Sequence, residues 1–158
     1  MEHGGDEDQA IAALLHDAVE DQGGDLTRRE IRERFGDRVT AMVDDCTDTD
    51  VQPKPPWKQR KLMYIEHIES ASEDSLLISM ADKLHNVTAI VRDHESGTDV
   101  FARFNASADD VAWYYRSLVE AFETREFGAD ASALLDELTL GVAELERCVR
   151  ADRTRAND

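Results

Sequence analysis

The chain has 158 residues, 41% of them hydrophobic, which is enough for one domain with a real core and too little for two comfortable ones. With 35 acidic residues against 18 basic ones, its formal net charge of −17 opposes general electrostatic binding to nucleic acid or to an anionic membrane, so any anionic ligand must be captured locally. Cys46 and Cys148 lie far apart and outside any Cys-x-x-Cys pair, which excludes a zinc ribbon or a disulfide scaffold; with a polar, acidic start and no apolar run of membrane-spanning length, they fit reduced thiols in a cytoplasmic protein.

In chain order, Asp6 or Asp8 is placed to cap a first helix whose apolar residues Ile11, Leu14, Leu15 and Val19 recur at helical spacing as far as Glu20, where Gly23-Gly24 stops it. Thr27 and Glu30 have the spacing of a capping box before Ile31 and Phe35; Gly36 ends that short helix, and Val39, Met42 and Val43 continue as another. Residues 44–56 contain turn formers and all three prolines, so they form the longest loop. A helix is expected from Trp57 to about Ile68, and another opens at Ser72-Glu73 and runs through Leu76, Leu77, Met80, Leu84, Val87 and Val91.

Gly97 breaks that pattern, Phe101 and Phe104 make a short apolar turn, and Ser107 with Asp110 caps a helix over Val111–Phe122. The last helix, Ala131–Val149, carries Leu138, Val142, Leu145 and Val149 at spacings of four, three and four, a narrow apolar seam for its own domain or for a second copy in a homo-oligomer. No alternating strand pattern occurs, so the fold class is all-α, with one domain over 1–151 and a frayed tail at 152–158.

The chemistry is concentrated in two places. His16-Asp17 directly follows an apolar stretch, with Glu20-Asp21 a turn later, and Asp82 lies far downstream in Ala-Asp-Lys-Leu-His-Asn. An imidazole and a carboxylate on successive helical positions project about a hundred degrees apart, so both can reach one cation beside the helix. Carboxylates beside a histidine on an apolar helix cost free energy unless something cationic holds them, which makes His16, Asp17 and Asp82 candidate ligands. A solvated helix end is the plainer alternative, and it weighs most for Glu20 and Asp21. Such a mixed donor set suits manganese or another divalent transition metal, which activates water and neutralises a phosphoryl oxygen. Glu20 and Asp21 are then positioned to orient that water and move its proton, and Asn86 lies one turn beyond Asp82 on the same face.

The stretch from Val51 to Ile65 contains no acid but carries Lys54, Lys58, Arg60 and Lys61, with Trp57 and Tyr64 interleaved. Lys54, Arg60 and Lys61 are candidates for phosphate contacts and Tyr64 for stacking on a base or sugar; the alternative is an exposed basic helix with its aromatics in the core. His85 has the look of a structural histidine, and Trp113-Tyr114-Tyr115-Arg116 that of core with Arg116 outside.

Ala-Leu-Leu-His-Asp-Ala-Val-Glu-Asp, then Ile31 to Phe35-Gly36, then Ala-Asp-Lys-Leu-His-Asn resemble, in that order, the HD-domain hydrolase of the RelA/SpoT family, above all its small stand-alone members. The resemblance spans roughly Gly4 to Arg92. It implies an HD-type helical bundle that holds one manganese ion and removes the 3′-pyrophosphate from guanosine tetra- or pentaphosphate, a small-molecule nucleotide. His16, Asp17 and Asp82 would be ligands, Glu20 and Asp21 would handle the water, and Asn86 would contact the nucleotide. Two departures accompany it. The family's helix with a further metal-binding histidine normally precedes the equivalent of Gly4-Gly5, so this chain would have three ligands instead of four and would expose core surface unless a partner covers it. After Asn86, where the family often has Met-Arg-Thr, this chain has Val87-Thr88-Ala89. A non-catalytic HD-fold binding or oligomerisation module with an incomplete centre is therefore the alternative to a phosphohydrolase.

Overall fold

Asp6 starts the first helix with a reciprocal cap: its carboxylate accepts from the Gln9 amide at 2.9 Å, and the Gln9 side chain accepts from the Asp6 amide at 2.8 Å. The structure, a computed structural model, describes residues 3–49, 51 and 53–156. Its helices are α1 (Glu7–Leu15), α2 (Ala18–Asp21), α3 (Asp25–Cys46), α4 (Trp57–His67), α5 (Glu73–Glu95), α6 (Ala108–Glu123) and α7 (Ala129–Ala156), with a 3-10 turn at Phe101–Arg103 before α6. Among the described residues there is no strand, and no helix is long and apolar enough to cross a membrane. The all-α expectation holds.

Several local expectations hold with their mechanisms. Ser72 and Ser107 cap α5 and α6 by accepting from the amides of Ser75 and Asp110, each at 3.1 Å. Gly97, with φ of 84°, lies just beyond α5. Other expectations are corrected. The first helix does not run unbroken to Glu20: it pauses at His16-Asp17, because the Asp17 carboxylate turns to the His16 ring and makes no side-chain cap for the following turn. The Thr27–Glu30 box does not form. Gly24, at φ 57°, takes the N-cap position of α3 three residues earlier, and the Thr27 hydroxyl donates to the Gln22 carbonyl. Gly36, at φ 86°, kinks α3 and so separates its two helical pieces. Residues 152–156, expected to fray, continue α7, and Asp152 bonds His94 at 2.9 Å; residues 157–158 lie outside the described residues.

Two cores result. The larger joins α4 to α7 around Met80, Leu118, Phe122, Leu134, Leu138 and Leu145, and the α7 seam Leu138, Val142, Leu145 and Val149 is buried within it. The smaller gathers Ala12, Val19, Ile31, Val39, Met42, Val43 and Cys46 against Ile78 of α5. α5 therefore serves both cores, α1 and α3 lying along one side and α7 along the other. Both cysteines are buried and free, and burial raises the Cys46 thiol to about 12.

Candidate functional site

His16 follows α1, Asp17 starts α2 and Asp82 lies in the middle of α5, yet the three side chains converge. His16 Nδ1 donates to the Ala13 carbonyl at 2.8 Å, which fixes the ring and turns Nε2 toward the two acids. Nε2 stands 3.0 Å from Asp17 Oδ2 and 3.3 Å from Asp82 Oδ1. Asp82 is mostly buried and Asp17 largely exposed.

Hydrogen bonding to Asp17, and next to Asp82, raises the His16 ring to about 10, against a burial effect in the other direction. The same contact lowers Asp17. Burial would raise Asp82, but the His16 hydrogen bond and the Lys83 ammonium outweigh it and hold the carboxyl well below the usual range. A protonated imidazole at this position offsets the charge of the two carboxylates it faces.

The donor chemistry fits a divalent ion. Adjacent ligands on one ion, at bond lengths near 2.0–2.2 Å, sit roughly 3 Å from each other, close to the two separations at His16 Nε2. Among the described residues, no group of three or more His, Cys, Asp or Glu side chains is arranged as a ready metal site. Binding an ion there requires the Nε2 proton to leave.

Glu20 reaches this region from α2, and Lys54 Nζ, from the loop before α4, donates to its Oε1 at 2.7 Å. Glu20 is mostly buried, whereas Asp21 is exposed. Asn86 Nδ2 donates to Asp82 Oδ1 at 2.8 Å, so the pair one turn apart on α5 is formed as the sequence suggests.

The rest of the basic segment is engaged elsewhere. Arg60 and Lys61 both bind Asp48, Lys61 at 3.2 Å, and Arg60 also donates to the Pro55 carbonyl. Burial, reinforced by the like charges of Lys83 and Arg60, lowers Lys61 to about 8. Tyr64 is only 6% exposed and its hydroxyl lies 2.7 Å from Ser79 Oγ, so it packs in the core and does not offer a stacking face. Lys58 lies over the Trp113 ring. His85 is exposed, Tyr114 and Tyr115 are core, and Arg116 pairs with Glu146 at 2.5 Å.

Two residues escaped the sequence reading. Asp48 stood in a loop rich in acids, with nothing to distinguish it from its neighbours. Lys83 sits inside the Ala-Asp-Lys-Leu-His-Asn motif and is mostly buried, 2.5 Å from Asp82 Oδ2. A lysine on a predominantly apolar helix face of an acidic chain was the available signal.

Comparison with known proteins gives the chain a family. The family profile described as HD domain matches residues 1–112. Guanosine-3′,5′-bis(diphosphate) 3′-pyrophosphohydrolase MESH1 of Xenopus tropicalis is 40% identical over 91 residues, covering 56% of this chain and 48% of that protein. The human MESH1 protein is 38% identical over 81 residues, covering 51% and 42% respectively. The guanosine-3′,5′-bis(diphosphate) 3′-pyrophosphohydrolase of Aquifex aeolicus is 38% identical over 92 residues, covering 56% of this chain and 12% of that protein. The match thus spans about half the length of the MESH1 relatives or less. The crystal structure of lmo0812 from Listeria monocytogenes EGD-e superposes with a TM-score of 0.74 at 28% identity, covering 89% of this chain and 83% of that one.

Proposed function

This chain belongs to the HD-domain family, and on that premise we propose that it is a divalent-metal-dependent phosphohydrolase that removes pyrophosphate from a nucleotide of the guanosine 3′,5′-bis(diphosphate) type. One observation carries the reading: His16 Nε2 meets Asp17 Oδ2 and Asp82 Oδ1 across 65 residues of sequence at ligand-like separations, 3.0 and 3.3 Å. His16, Asp17 and Asp82 would hold the ion, which for this carboxylate-rich set we take to be manganese. When bound it would supply Lewis acidity and positive charge to the phosphoryl oxygens.

The residues around it have distinct tasks in this reading. Glu20 accepts the proton of the water that attacks phosphorus and passes it to the nucleotide 3′-oxygen as the bond from phosphorus to that oxygen breaks, and Asp21 helps orient the water. Lys54, paired with Glu20 at 2.7 Å, is the cation best placed to meet the phosphates, and their arrival would release Glu20 for the proton. Asn86 contacts the nucleotide from α5. The reading includes a cytoplasmic setting, in keeping with the free thiols, and a small-molecule partner in place of nucleic acid or membrane, in keeping with the charge of −17.

Pyrophosphate release from guanosine 3′,5′-bis(diphosphate), measured with added Mn²⁺, tests the proposal. Turnover should vanish in EDTA, and His16→Ala should lower it by about 100-fold or more, beyond the 10- to 100-fold typical of residues that only support a ligand. Metal-independent turnover, or none with this chain or an upstream-extended form, would sink it. The alternative is a non-catalytic HD-fold module, which stoichiometric Mn²⁺ binding would eliminate.

A further inference from the structure

Lys83 brings a charge into the interior beside the candidate site, and the chemistry just proposed gives it no task. Neighbouring side chains on a helix project about 100° apart and do not normally face each other. Here the lysine stem nevertheless folds back, so that Nζ lies 2.5 Å from Asp82 Oδ2 on the preceding residue. Nζ also lies over the Tyr64 ring, 5.2 Å from its centroid, and Ser79, one turn before Lys83 on α5, fixes the Tyr64 hydroxyl at 2.7 Å. An ammonium out of water is tolerated only when it is paired, and this one is held by a carboxylate and an aromatic face.

The two oxygens of Asp82 are thereby divided. Oδ2 belongs to Lys83, while Oδ1 accepts from Asn86 at 2.8 Å and faces His16 Nε2 at 3.3 Å. Without the ammonium, either oxygen could turn toward the imidazole, and the other would be left buried without its partner. We propose that Lys83 is a positioning residue whose ammonium, seated on the Tyr64 ring, pins Asp82 Oδ2 so that Oδ1 alone is presented beside His16 to a divalent cation. The inference rests on the metal-binding reading above and adds to it how one ligand is oriented.

Electrostatics alone gives the opposite sign, which makes the inference testable. Removing a positive charge next to a cation site should tighten cation binding by Coulomb's law, whereas losing a group that orients a ligand should weaken it, typically 10- to 100-fold. The experiment is a Mn²⁺ titration of the full chain, with free Mn²⁺ read by electron paramagnetic resonance, on the unmodified protein, Lys83→Met, Lys83→Arg and Lys83→Gln. Lys83→Met should raise the dissociation constant about 10- to 100-fold. Lys83→Arg, which keeps a cationic donor, should recover most of the affinity, and Lys83→Gln should fall between the two.

Binding by Lys83→Met as tight as or tighter than the unmodified protein overturns the inference, as does equal weakening in Lys83→Arg. Should circular dichroism show Lys83→Met unfolded in EDTA, the comparison of Arg with Gln decides, and Gln binding as tightly as Arg overturns it. If the unmodified chain binds no Mn²⁺, the metal-binding reading falls and takes this inference with it. Loss of the Lys83 effect alone leaves that reading intact.

Discussion

The larger core ties α4 to α7 together through long buried side chains such as Phe122, Leu134, Leu138 and Leu145, whereas the smaller holds α1, α2 and α3 to one side of α5 mainly through Val and Ile with Met42. The candidate site straddles the boundary. Asp82, Lys83 and Asn86 come from α5, which is gripped on both sides, while His16, Asp17 and Glu20 come from the weaker side, where Leu14 is 87% and Leu26 73% exposed. One of the three candidate ligands, Asp82, is thus mounted on a rigid element and the other two on one that opens more easily. Stability and site geometry should therefore respond to different mutations.

The largest effect is expected in the larger core. Leu138→Ala, at a fully buried seam position, should cost toward the upper end of the roughly 2–5 kcal/mol typical of such truncations. Urea denaturation should show the lower midpoint, and hydrogen exchange should lose protection throughout α5, α6 and α7. Loss confined to α7 would break the picture of one cooperative core. Met42→Ala should fall toward the lower end of the same roughly 2–5 kcal/mol, because the smaller cluster borders solvent and can relax. Its signature should be local: amides of α1 and α3 exchange faster, those of α6 and α7 do not, and Mn²⁺ binding weakens severalfold. A uniform loss of protection would show that the two cores unfold as one.

Much of the helix pattern, though not this division, was legible in the sequence, and the exceptions have physical causes. The α5, α6 and α7 patterns could be read because local and tertiary preferences agree there: Ser72 and Ser107 cap where they stand, and the seam at Leu138, Val142, Leu145 and Val149 is core. His16, Asp17 and Asp82 could be picked out because polar groups on apolar helices demand partners. The pause at His16-Asp17 could not, since it follows from a side chain choosing a ring over the next turn's amides. Arg60 and Lys61 looked available for phosphates because sequence does not show that Asp48 folds back onto them. Tyr64 followed the same logic: helical spacing placed it on a face, but only packing showed that the face is buried.

The smallest expected effect probes the polar fastening of the weaker side. Arg38 of α3 holds Asp6 at 2.7 Å and Asp8 at 3.0 Å at the start of α1, and Asp74 at 2.7 Å in the first turn of α5, so one guanidinium draws three elements together. Its side chain is 44% exposed, which lets water and salt screen the attraction. Arg38→Met should lower the denaturation midpoint slightly in low salt, and the difference should fade as salt is added, because the change unmasks repulsion among three acids. Asp6 contributes to the acid limb. It is lowered from the usual 3.8, first by the Gln9 backbone amide and then by Arg38, so its contribution is complete above that value and is lost as pH falls through the lower folded one. Since the amide is the larger cause, Arg38→Met should shrink that acid-range loss without abolishing it. A deficit that persists unchanged in high salt would instead assign Arg38 to packing, and α1 would then be fastened by contact, as α7 is, and not by charge.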